Sequence, residues 1–193
     1  MATRYVGYLY LFFVAIIGFI FGTVYVQMLP HAQMSDILEH WGSMFSYNNE
    51  ISSTIEMFIL NFLYHLRFFI FMFIFGITII GYPITLLIFF LKAFILGSTL
   101  QLFYFIWEND ALAYIVIWLV PSSLLILVGL FILSFSLASY CYESVKMIKQ
   151  QSWTTPFYKL LKLVGVAFLI VVIATAVQTY LSPYLFNVFI TSR

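Results

Sequence analysis

A chain of 193 residues that is 64% hydrophobic and 8% charged, where a soluble domain is roughly a quarter charged, cannot cover itself with a water-soluble surface. Its net charge of +1, with no basic block and no long acidic tail, excludes electrostatic capture of nucleic acid. Each helical span of a hydrocarbon core roughly 30 Å thick takes about 20 apolar residues, so the length admits about four to six spans and no separate soluble domain.

The apolar segments are solid blocks rather than alternating apolar and polar positions, which predicts helices and not a barrel. The first span covers residues 5–29 and ends at Pro30, behind a single cation, Arg4. Its apolar run is well beyond the about 7 to 15 residues of a signal-peptide core, so it reads as a retained span. Residues 33–46 follow with Met34, Ile37, Leu38, Trp41, Met44 and Phe45 at helical spacing, an external amphipathic segment lying at the interface. Its other face groups Asp36, Glu39 and His40. That spacing is compatible with a metal ion, but a solvated acidic face accounts for it, and no metal or cofactor is expected.

Ser53-Thr54-Ile55-Glu56 has the form of a capping box that opens a second span, residues 57–80. Gly81-Tyr82-Pro83 is expected to turn the chain tightly, glycine by allowing positive φ and proline by ending the earlier bonding pattern. The third span is residues 84–106, and Trp107-Glu108-Asn109-Asp110 is a short boundary turn. The fourth, residues 113–138, contains Pro121, where a kink is expected near one end with Ser122 and Ser123 at hand for freed backbone groups. A basic connection, residues 140–162, carries Lys146, Lys149, Lys159 and Lys162, and the fifth span is residues 163–181. The tail after Pro183 is mostly apolar and is expected along the interface. The fold class is therefore an all-helical integral membrane protein, one domain over residues 1–193 with about five transmembrane helices. Placing the lysine-rich connection inside puts the amino terminus inside and the carboxyl terminus outside. A re-entrant hairpin over residues 57–106 leaves every other segment on the same side.

Charge inside these blocks marks the candidate functional residues. Arg67 and Lys92 fall at membrane depth in spans two and three, where each costs at least about 2.5 to 3.5 kcal/mol unless it snorkels, pairs or faces protein. The expectation is that both face a polar interior or a partner, with Asn61, His65 and the flanking Glu56 and Glu108 nearby; snorkelling to the interface is the alternative. Gly81, Pro83, Pro121 and Trp41 complete the candidate set. Gly18 with Gly22, and Ala93 with Gly97, have small-xxx-small spacing, expected to pack helices within the chain.

Catalytic residues are not expected. There is one cysteine, Cys141, and no paired carboxylates within the spans, no G-x-S-x-G and no H-E-x-x-H. A nucleophile from Ser134, Ser136 or Ser139 with His65 as base is outweighed by the habit of span serines to bond back to their own helix. A transporter reading draws on the glycine and proline interruptions but lacks an acidic pathway residue, and five spans forbid a complete inverted repeat.

The residues Phe21 to Pro30, Glu56 to Gly97, Val120 to Leu127 with the FSLASY stretch after it, and Tyr180 to Leu185, in that order, resemble the stage II sporulation protein M family. The most specific part is the central block, a cation before an aromatic-rich span, Gly-x-x-x-x-Gly-x-Pro, and a lysine in the next helix. The resemblance implies a five-span, non-catalytic scaffold of the bacterial plasma membrane that recruits peptidoglycan-degrading enzymes like the stage II sporulation proteins D and P to the septal membrane during engulfment. The chain departs from that pattern at His65, Ala93, Gln101 and the Pro121-Ser122-Ser123 run. Relatives beside transporter ATPases imply the alternative, a membrane subunit of a peptide export or self-immunity system with an ABC ATPase as partner. The lipid bilayer is a partner on either reading, and homo-oligomerisation is left open.

Overall fold

In a bilayer the backbone can satisfy its polar groups only within its own segment, so long apolar runs must close their hydrogen bonds as helices. The computed structural model describes residues 2–30, 33–37, 39, 54–78, 80–107, 111–116, 120–148, 155–182 and 184, with no strand among them. The helices are α1 (Ala2–Gln27), α2 (Thr54–Gly76), α3 (Tyr82–Trp107), the short α4 (Ala111–Tyr114), α5 (Val120–Ile148) and α6 (Thr155–Ala176), which continues into a π-helical turn, Val177–Leu181. Five of these are long and apolar enough to cross a membrane: α1, α2, α3, α5 and α6 with its π-turn. The chain is a multi-pass membrane protein. α2 and α3 have 23 and 26 residues, about 34 and 39 Å, so each is long enough to cross the hydrocarbon core by itself.

Two helix pairs build the bundle. α1 and α3 run parallel, because Gly18 lies against Phe90 and Ala93 while Gly22 lies against Phe94 and Ser98. On the other side Gly97 lies against the backbone of Phe19. The two small-residue pairs therefore face one another, and their backbones come close enough for the Ser98 hydroxyl to donate to the Gly22 carbonyl at 3.2 Å. Phe21 on Phe90 and Tyr25 on Phe94 close the flank of this seam.

α5 and α6 form the second pair. Ile126, Leu130, Leu133 and Leu137 on α5 meet Leu160, Ala167, Val171 and Ala174 on α6 in one buried cluster. Both sets recur at intervals of three, four and seven residues, the spacing of a left-handed helical seam. α2 contacts α3, α5 and α6 and sends Phe69 and Met72 into the same core. The opposite side chains of most spans are apolar and exposed, as lipid contact requires.

Several expected boundaries shift. The chain turns earlier than the Gly-Tyr-Pro sequence: α2 ends at Gly76, and Tyr82 and Pro83 already belong to the first turn of α3. First-turn amides have no intrahelical acceptor, so proline costs nothing there. Gly81 is needed for closeness and not for a left-handed φ, since a Cβ would strike the Phe75 carbonyl and the Thr78 hydroxyl. Carbonyls in the last turns of α2 also accept from side chains. Thr85 Oγ1 donates to Met72 at 3.3 Å, Cys141 Sγ to Gly76 at 3.3 Å, and Thr78 Oγ1 to Phe75 at 2.9 Å.

The fourth span begins at Val120 rather than residue 113, because residues 111–116 form a separate short helix and π-turn. Pro121 is the second residue of α5 as described, a first-turn position that proline tolerates. The basic connection of residues 140–162 is largely helical: α5 runs to Ile148 and α6 starts at Thr155. Lys146 lies in the last turn of α5, where a cation suits the helix dipole.

Of the amphipathic segment, residues 33–37 are helical, with Gln33 and Met34 donating to the Pro30 carbonyl. Asp36 and Glu39 are exposed. His40, Trp41, Met44 and Phe45 lie outside the described residues, as do the 108–110 turn and the tail from residue 185.

Candidate functional site

Polar side chains are scarce in the spans, and several of them meet at one place. Residues 65, 69, 72 and 76 of α2 recur at three- and four-residue intervals and make its buried stripe; His65 belongs to it and is 5% exposed. It stands eleven residues from each end of α2, about 16 Å along the axis. Lys92, 8% exposed, approaches from α3 and donates from Nζ to His65 Nδ1 at 3.4 Å. With Nδ1 accepting, the ring proton sits on Nε2, which donates to Gln178 Oε1 at 2.8 Å. One turn earlier on α2, Asn61 Nδ2 donates to Thr179 Oγ1 at 3.3 Å.

Gln178 and Thr179 are adjacent in sequence and both reach α2 from the π-turn Val177–Leu181. A π-turn adds a residue to the local helical period and is frequent at functional positions. The result is a polar bridge that runs from α3 through α2 to the end of α6. Tyr64 and Phe68, one turn apart on α2, flank the lysine, with Nζ 4.4 Å from the Tyr64 ring centre and 4.5 Å from that of Phe68. Among the described residues the ammonium is thus held by two aromatic faces and an imidazole nitrogen. The bridge joins three helices and orders one histidine tautomer.

Arg67 is not part of it. Two helical residues past His65 turns the side chain by roughly 200°, and Arg67 is exposed on the outer face of α2. Of the two cations, Lys92 faces the polar interior of the bundle and Arg67 faces outward. Glu56 is exposed near the start of α2, and Glu108 lies outside the described residues.

The serine and histidine arrangement weighed from the sequence is not assembled. Ser136 Oγ donates to its own helix at Ile132, 2.6 Å away, and both His65 ring nitrogens are engaged. Ser134 is fully buried within α5. Among the described residues no cluster of His, Cys, Asp and Glu is arranged to hold a metal.

Asn61, His65 and Lys92 are legible as polar residues inside apolar runs. Gln178 and Thr179 carry the same signal, a pair of polar residues late in the fifth span, and reading them as intramembrane polar groups would have found them. Nothing in the sequence marks the π-turn that aims them, or the aromatic cage of Tyr64 and Phe68.

The family model described as stage II sporulation protein M matches residues 10–183. No curated protein and no solved structure matches the chain.

Proposed function

The chain belongs to the stage II sporulation protein M family, and on that premise we propose that it is a non-catalytic scaffold of the bacterial plasma membrane. With its amino terminus inside, it recruits peptidoglycan-degrading enzymes, of the stage II sporulation protein D and P kind, to the septal membrane during engulfment. The observation that carries this reading is the family match, which covers four spans whole and most of the first. The polar bridge supports it. Lys92, His65 and Gln178 bond to one another across three helices, which suits a platform of fixed shape better than a conduit whose polar groups must exchange partners during transport.

Crosslinking in intact membranes, gentle extraction and identification of the co-purifying proteins test the proposal. Wall hydrolases are expected among them. ATP-binding subunits with no wall hydrolase would instead establish the export or immunity alternative.

A further inference from the structure

The outer face of α2 is an apolar stripe in which Leu60, Leu63, Ile70 and Ile74 are 44 to 56% exposed. Arg67 interrupts it, exposed, thirteen residues from Thr54 and nine from Gly76, about 20 and 14 Å along the axis. Helical side chains tilt toward the amino-terminal end, so Arg67 leans toward the farther boundary and is poorly placed to snorkel to the nearer one. Its guanidinium stays charged under all ordinary conditions.

Among the described residues no carboxylate of this chain comes to that depth. Within the five spans the acidic residues are Glu56 and Glu143, each near a span end, and Glu56 is eleven residues from Arg67 on the same helix. The described residues of a second copy bring none either, and lipid phosphates sit at the boundaries. Tyr64, one turn away on α2, is 41% exposed. Arg67 therefore makes this face positive, and its complement is an anion at mid-depth.

We infer that the Arg67 face of α2 docks a membrane-spanning helix of another protein that carries an Asp or Glu side chain near its middle. The guanidinium pairs with that carboxylate, a strong, directional contact, while Leu63 and Ile70 pack against the apolar flanks of the incoming helix. This goes beyond the scaffold reading, because it specifies how a partner is held whatever that partner does, and it stands or falls separately from the identity of co-purifying enzymes.

The test uses the purified full chain co-reconstituted in phosphatidylcholine vesicles with a labelled polyleucine helix bearing one central Asp, or the same helix with Asn. Energy transfer to the protein should show the Asp helix binding about tenfold more tightly. Arg67→Leu should erase that preference and Arg67→Lys should keep most of it. Because residue 67 faces outward, both variants should melt like the parent. Equal binding of the two helices, or an Asp preference that survives Arg67→Leu, overturns the inference. A photocrosslinker at Leu63 that captures phospholipid and never the Asp helix also overturns it, leaving Arg67 as a lipid contact.

Discussion

Replacing Gly22 with leucine should force α1 away from α3 and cause the largest loss of stability of any single change in that seam. The added atoms would occupy the space of the Phe94 carbonyl, which lies where even a Cβ would sit, and the obstacle is helix backbone, which cannot rotate aside. Overpacking typically costs about 1 to 3 kcal/mol, and a backbone collision belongs at the upper end. The Ser98 to Gly22 hydrogen bond is lost with it. Gly165→Leu is the control, because a Cβ there meets nothing within 4 Å and position 165 is exposed, so it should change stability by less than about 0.5 kcal/mol. Thermal melting of the two variants in detergent checks the contrast. Equal melting temperatures would mean that the α1 and α3 backbones are not in close contact.

The second large effect is an asymmetry within the polar bridge. His65→Leu removes the central member and leaves both the Lys92 ammonium and the Gln178 amide without the partner they now share. Stranding buried polar groups costs about 1 to 3 kcal/mol each, so this variant should lose about 2 to 4 kcal/mol. Lys92→Met removes the buried charge, fills a similar volume and leaves the His65 to Gln178 bond in place. Its stability should stay within about 1 kcal/mol of the parent, since replacing buried charge by a packed apolar group is often neutral or favourable. The double variant should be more stable than His65→Leu alone, because the stranded ammonium is gone. A double-mutant cycle read by thermal melting measures this coupling. A double variant whose loss equals the sum of the two single losses would show that Lys92 and His65 act independently.

Much of the fold was readable before any coordinates. Solid apolar blocks of membrane length have one backbone solution, and the two small-residue pairs could pack closely only against something equally small, which each found in the other. Helix ends were less legible because they depend on distant donors. Thr85 and Cys141 lie outside α2, yet they bond to carbonyls in its last turns. In the site, depth was legible and facing was not. Arg67 and Lys92 both sit mid-span, but only the rotation of α2 and the π-turn of α6 decide that Lys92 is enclosed while Arg67 looks outward. The π-turn depends on tertiary packing, which local sequence does not encode.

The scaffold role is tested most directly by following a fluorescently tagged wall hydrolase in dividing cells that have or lack this protein. The enzyme should gather at the septal membrane when the protein is present and spread around the cell when it is absent. A hydrolase that keeps its septal position without the protein would contradict the role proposed for it.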